Sequence, residues 1–591
     1  MKQFFKMFFA SVLAILVTAG ILFFIGFIIT VGILSSVGES KPILPKTNEN
    51  VLKLSLDGRV REVSTSNPFS DFFNEEKTLS LEDIVKAVQV AKENDNIKGI
   101  YLDASSLTTG SVTIDVIRRA LQDFKDNGKF VVAYADNYTQ GCYNLCSVAD
   151  EVFMNPLGSL GLTGFASQSD FYKGLFKKVG VEMMIFKVGT YKGAVEPFMN
   201  DKFSDENREQ ITSYQQGIWK NVVKNIASER NIPEETVNLY ANSGYMFAPA
   251  EKAVELGLID ELKYREDVEN FIKEKVGADT KKELKTVSVE KLARLYKPAN
   301  HSNNKIAVVY AEGDIVPSNT VSKFSDNSYI TESLVDELIK LKNNDDVKAI
   351  VLRVNSPGGS AYIAEQIWNQ VKAIKQDKKI VVSMGNLAAS GGYYISCAAD
   401  KIVSEPNTLT GSIGVFAVIP NLAGLYDKLD VKTDVVKTNQ YADMGNLSRP
   451  WREDEKQLLQ NYVNSLYDTF LSRCAEGRGM TKGQIDSIGQ GRVWTGEQAL
   501  ERGLVDELGD LNHAIEMAAE LANLSDYEIK NVTTNTDPIT EFLKKQMGDM
   551  KSSIVREYIG EDAELLNTLR IVRQTEGVQA RLPYDFDYLN Y

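Results

Sequence analysis

The chain has 591 residues, 43% apolar and 25% charged, a globular composition too long for one core, so two or more domains are expected. Its net charge of −14 argues against nucleic-acid binding, which needs a basic surface to neutralise phosphates. The four cysteines, at 142, 146, 397 and 474, are too few for a disulfide scaffold and lack metal-ligand spacing, so no metal or cofactor is expected.

From Met7 to Gly38 no charge interrupts a run of Phe, Ile, Leu and Val, long enough to cross a bilayer. Apolar sequence resumes directly after Val17-Thr18-Ala19-Gly20, which speaks against cleavage there and for a retained anchor with its span at about 7–34. Lys2 and Lys6 precede the run, whereas Glu39 and Lys41 cancel after it. That bias puts the N-terminus in the cytoplasm and the bulk of the chain outside it, on the periplasmic face of the inner membrane if the source is bacterial.

Beyond residue 45 the chain repeats itself at an offset of 250. Asp95-Asn96-Ile97-Lys98-Gly99-Ile100-Tyr101-Leu102 answers Asp345-Asp346-Val347-Lys348-Ala349-Ile350-Val351-Leu352, and Pro156, Gly161 and Tyr191 meet Pro406, Gly411 and Tyr441. After a small slip, Leu256 to Leu262 answers Arg502 to Leu508. Each copy alternates short β-branched runs (98–102, 130–133; 349–352, 380–383) with helical patterns (114–124; 364–374). The alternation predicts an α/β fold, a tandem of duplicated domains with mostly parallel sheets. The expected division is an anchor at 1–45, a first repeat at 46–297, a second at 298–535 and a tail at 536–591, with the polar run Pro298–Asn304 as linker. Cys142 and Cys146, at i and i+4, read as core packing of a helix.

The informative positions are those where the copies differ. In Asn386-Leu387-Ala388-Ala389-Ser390-Gly391-Gly392-Tyr393-Tyr394, Ser390 sits at a strand-to-helix turn, and its counterpart is Gln140. Gly358 and Gly359 have Thr108 and Thr109 as counterparts. A glycine pair lets backbone N–H groups approach a ligand closely, as an oxyanion hole requires. The reverse mismatch is Lys192, in Val188-Gly189-Thr190-Tyr191-Lys192-Gly193, which meets Ala442. A serine nucleophile needs a base, and neither His301, in the polar linker, nor His513 has catalytic company. Lysine serves only when neutral, which burial favours by destabilising the ammonium; lowering its pKa by roughly three units corresponds to about 4 kcal/mol. One copy thus carries serine and glycines and the other lysine, which predicts one active site per chain at a dry seam between the copies.

The motifs G-T-Y-K-G-A-V-E-P-F around Lys192, N-S-P-G-G-S at 355–360, A-A-S-G-G-Y-Y at 388–394, L-T-G-S-I-G-V at 409–415 and A-R-L-P-Y at 580–584 together resemble the long, two-repeat form of signal peptide peptidase A, a family of membrane-anchored Ser-Lys proteases. The resemblance implies a Clp-peptidase/crotonase-like fold in each repeat, with Ser390 as nucleophile and Lys192 as general base. It also implies an oxyanion hole near Gly358 and Gly359 with Gly391 as a second donor, and Ser412 orienting the lysine. The implied substrates are apolar peptides, chiefly remnant signal peptides, and the implied assembly is a homotetramer held to the lipid bilayer by its N-terminal helices. A crotonase-type acyl-CoA enzyme is the competing enzymatic reading, which leaves Lys192 and the membrane span without a purpose, and a noncatalytic membrane scaffold is the competing structural one.

Overall fold

The computed structural model describes residues 50–63, 79–297, 301–320, 328–533 and 578–581, together with a few positions between 17 and 24. The expected membrane span lies almost wholly outside the described residues, as does most of the expected tail. Among the described residues no helix is long and apolar enough to cross a membrane.

Both copies build a parallel sheet from the predicted runs. In the first copy the strand order is Glu261–Leu262, Glu151–Met154, Phe130–Ala135, Ile97–Thr108, Asn50–Arg59, Thr286–Ser288, every neighbouring pair parallel. Ile100, Tyr101, Leu102, Val131, Val132 and Ala133 are fully buried, as strands covered on both faces must be. In the second copy Lys379–Ala389, Val347–Ser356, Lys305–Glu312 and Glu528–Val532 run side by side, all parallel, and Lys401–Ser404 pairs with Lys379–Ala389. Element starts keep the offset of 250: strands at Ile97 and Val347 and at Glu151 and Lys401, helices at Ser111 and Ala361. The long helices Asp205–Arg230 and Glu453–Arg478 are 248 apart, where the register has begun to slip.

Local signals explain the helices. Helix Leu81–Glu93 starts at Ser80, whose Oγ accepts from the Asp83 N–H at 3.0 Å, with Glu82 and Asp83 in its first turn. It buries Leu81, Ile84, Ala87, Val88 and Ala91, the i, i+3, i+4 stripe that faces the sheet. Cys142 and Cys146 lie on the short helix Gln140–Cys146 and are buried in the first copy's core, as their spacing predicts.

A third sheet joins the copies. Its order is Tyr329–Ile330, Asp314–Ile315, Gly358–Ser360, Gln579–Arg581, Val415–Asn421, Glu182–Val188. Glu182–Val188 precedes the linker by more than a hundred positions in sequence, yet it pairs antiparallel with Val415–Asn421, Val188 opposite Val415 and Glu182 opposite Asn421. Met184 and Phe186 therefore bury their side chains in the second copy's core. A buried ion pair also spans the copies. Arg353 donates through Nε and Nη2 to the Glu62 carboxylate at 3.1 Å each, and through Nη1 to Ser383 Oγ at 3.0 Å and the Met384 carbonyl at 2.9 Å.

Because removal of one partner strands a buried charge, Arg353→Met is expected to destabilise the chain by about 3–5 kcal/mol. Pairing it with Glu62→Gln should return much of that loss. Thermal unfolding of the parent, the single and the double variants checks this.

Candidate active site

The strand Lys379–Ala389 runs into helix Gly391–Ser396, and Ser390 occupies the turn between them with φ 55° and ψ −112°. A side chain rarely adopts this backbone, and the strain is held by neighbours. The Ser390 N–H donates to the Gly411 carbonyl at 2.8 Å, and the Ser390 carbonyl accepts from the Tyr394 N–H at 2.8 Å. Ser390 is fully buried.

Lys192 arrives from the other copy. Because Glu182–Val188 is bound into the joining sheet, the loop that follows it is delivered to the end of the strand Leu409–Gly411. That loop is clamped by residues of the second copy. The Tyr191 N–H donates to the Gln490 carbonyl at 2.8 Å, and Gln210 bridges the two segments, donating to the Tyr191 carbonyl at 2.8 Å and accepting from the Val493 N–H at 3.0 Å. Gly491 has φ 79°, and a Cβ there would lie 2.7 Å from Lys192 Cβ, so only glycine lets the lysine stem pass.

The lysine amine is completely enclosed. Lys192 Nζ lies 2.8 Å from Ser390 Oγ, 3.0 Å from Ser412 Oγ and 3.1 Å from the Ser412 carbonyl. Burial pushes its pKa well below the ordinary lysine value. The three contacts suit a neutral amine: two N–H groups can donate to the two Ser412 oxygens, leaving the lone pair to accept from the Ser390 hydroxyl. Ser412, also fully buried, is fixed by its own N–H, which donates to the Arg492 carbonyl at 2.7 Å.

Gly358 and Gly359 line the same place, with φ of 103° and 150°. A Cβ at Gly358 would lie 2.7 Å from the Gly391 nitrogen, and one at Gly391 would lie 3.1 Å from the Gly359 nitrogen. The Gly358 N–H already donates to Ser356 Oγ at 3.1 Å. That leaves the Gly359 and Gly391 nitrogens as the neighbouring amide pair beside Ser390. The six residues singled out in the sequence therefore come together within one chain.

The equivalent place in the first copy is filled. Gln140 Oε1 accepts from the Thr163 and Gly164 N–H groups at 3.2 and 2.7 Å, and Leu162 is buried where Ser412 has its hydroxyl. Ala442, the counterpart of Lys192, is exposed in a turn. His513 lies 2.9 Å from Glu507, and His301 is exposed. Sequence reasoning missed Gln210, Gln490 and Gly491. Gly489-Gln490-Gly491 is a visible glycine-flanked signal, but it falls where the repeat register has slipped, so comparing the copies at one offset does not expose it.

The chain matches the model of peptidase family S49 twice, at residues 123–279 and 372–525, and that of Clp protease at 299–409. A protein named Protease 4 from Haemophilus influenzae is 34% identical over 522 residues, 85% of this chain and 84% of that one. A chloroplastic serine protease SPPA of Arabidopsis thaliana is 31% identical over 537 residues, 90% of this chain and 77% of that one. An Enterococcus faecium protein whose name includes signal peptide peptidase SppA is 36% identical over 237 residues, 39% of this chain and 69% of that one. These matches define a serine peptidase built on tandem α/β repeats. The chain belongs to peptidase family S49.

A lysine with a depressed folded-state pKa leaves the unfolded chain binding more protons between that value and about 10.4, so its contribution to stability rises with pH across that window. Lys192→Met removes the buried amine and is expected to stabilise the fold most below the window, the gain shrinking as pH rises towards 10.4. Unfolding midpoints of both chains across pH check the sign.

Proposed function

We propose that the chain is a serine endopeptidase in which Ser390 attacks a peptide carbonyl and Lys192, in its neutral form, takes the hydroxyl proton. The observation that carries this reading is the 2.8 Å contact between Lys192 Nζ and Ser390 Oγ in a seam closed to water. The proton moves from Oγ to Nζ as the Oγ–carbon bond forms, and the Gly359 and Gly391 amides stabilise the tetrahedral oxyanion. The Lys192 ammonium then protonates the departing amine, leaving an acyl-enzyme and a neutral lysine. A water activated by Lys192 releases the acid. Ser412 keeps two of the lysine's hydrogens occupied, so the lone pair faces Ser390 in both half-reactions.

Apolar peptides, chiefly remnant signal peptides, are the substrates we assign, supported by the uncharged run 7–38, which would hold the site beside a bilayer, and by the name of the Enterococcus relative. An N-terminal cytoplasmic end, a periplasmic bulk in a bacterial cell and a homotetrameric assembly belong to the same reading.

Ser390→Ala and Lys192→Ala are each expected to lower kcat/KM on an apolar peptide by at least about 10⁴-fold, and the double variant to fall no further than the worse single one, since groups acting as a unit are non-additive. Independent losses that multiply would separate the two residues.

A further inference from the structure

Glu196 is a buried carboxylate for which the proposed chemistry has no use. It opens the short helix Glu196–Met199, one turn after Lys192 in the chain, and is 1% exposed. Its Oε1 accepts from the Ser204 hydroxyl, and its Oε2 accepts from the Ser204 N–H at 3.2 Å and from Asn207 Nδ2 at 2.8 Å. All of these donors are neutral, and among the described residues no lysine or arginine pairs with it. Ser204 caps the 26-residue helix Asp205–Arg230, so the carboxylate is held where the helix dipole favours negative charge.

From Glu196 the hydrogen bonds run on towards both Lys192 and Ser390. Asn207, fully buried, accepts at Oδ1 from Gln210 Nε2 at 2.8 Å. That Gln210 nitrogen also donates to the carbonyl of Tyr191, the residue before Lys192, while Gln210 Oε1 accepts from the Val493 N–H. Val493 pairs with Gly411, whose carbonyl holds the Ser390 N–H. Asn207 also backs the lysine loop directly: a Cβ on Gly193 would lie 2.5 Å from its Nδ2. A carboxylate can only accept, so it turns Asn207 with Nδ2 towards Glu196 and Oδ1 towards Gln210. Gln210 is turned in consequence with Nε2 on the Tyr191 carbonyl and Oε1 on the Val493 N–H. A glutamine at 196 could present N–H groups to Asn207, and that order would no longer be imposed.

We infer, resting on the serine-peptidase reading, that Glu196 and Asn207 are positioning residues: through Gln210 they brace the Lys192 loop and the Ser390 turn at one separation and keep the seam closed around the amine. Loosening the brace misplaces the amine and admits water. A misplacement of about 1 Å costs on the order of 10²-fold in rate. Hydration of the ammonium returns the lysine towards its ordinary pKa. The amine touches only Ser390 and Ser412, both neutral, and burial is the cause of its depressed pKa. Loss of the Glu196 charge would by itself lower the lysine's midpoint, so a rise in that midpoint reports wetting of the seam.

Glu196→Gln and Asn207→Ala in the full chain test this, and should one fail to fold, the other decides. Each is expected to lower kcat on an apolar peptide by about 10²-fold with KM within about twofold of the parent's. Each should also raise the pH midpoint of fluorophosphonate labelling of Ser390 by at least about one unit. Combining Glu196→Gln with Asn207→Asp restores a donor–acceptor pair at that contact, and should recover kcat at least about tenfold over Glu196→Gln and bring the midpoint back. A general weakening of the fold would lower the unfolding midpoint and leave the labelling midpoint in place. A labelling midpoint that stays or falls in the folded variants, whatever happens to kcat, overturns the inference. If Lys192→Met labels as fast as the parent at every pH, the serine-peptidase reading falls and takes the brace with it. If Lys192→Met is silent while the two variants keep the parent's midpoint, that reading stands and the brace alone is lost.

Discussion

In the proposed mechanism, an amine that must stay dry is the constraint on which this molecule turns. Lysine is a poor base in water because its ammonium is so well hydrated, and enclosing it is what frees the lone pair. The enclosure is costly in free energy, so it must be held by structure that does not relax. Here the anchoring is a full antiparallel pairing of Glu182–Val188 with Val415–Asn421, closed at its end by Gly491 against the lysine stem. Both strain at Ser390 and burial at Lys192 are destabilising locally and are sustained by two large cores that meet at the seam.

Duplication explains how such a seam arises. Two copies of one α/β unit present equivalent edges, and a strand of one can be taken into a sheet of the other. Once that exchange places a lysine from the first copy beside a serine of the second, the reciprocal positions, Gln140 and Ala442, stand outside that contact. The first copy's turn is then filled by Gln140, whose amide oxygen satisfies the two N–H groups of Thr163 and Gly164. Ala442 lies in a turn open to solvent, in a segment that builds no joining strand. The asymmetry thus has a structural form as well as a chemical one.

Much of this was legible in the sequence. Parallel strands announce themselves as β-branched runs, and an offset of 250 fixes their equivalence, so the two sheets and the Ser390, Gly358 and Lys192 mismatches follow from comparing the chain with itself. What could not be read was the partner of Glu182–Val188, because strand pairing across two domains leaves no local pattern: Met183 to Val188 reads as an ordinary short apolar run. The Gln210 bridge was hidden for a similar reason, since its two partners lie 19 and 283 positions away. Nor does a three-residue strand such as Gln579–Arg581 carry a periodic signal.

The most direct measurement is the rate at which a fluorophosphonate labels Ser390 across pH, in the parent chain and in Lys192→Met. The account predicts a rate that rises to a plateau with a midpoint well below about 10.4, the unperturbed lysine value, and a Lys192→Met chain that stays near background throughout. A parent midpoint at the ordinary lysine value, or equal labelling of the two chains at every pH, would contradict it.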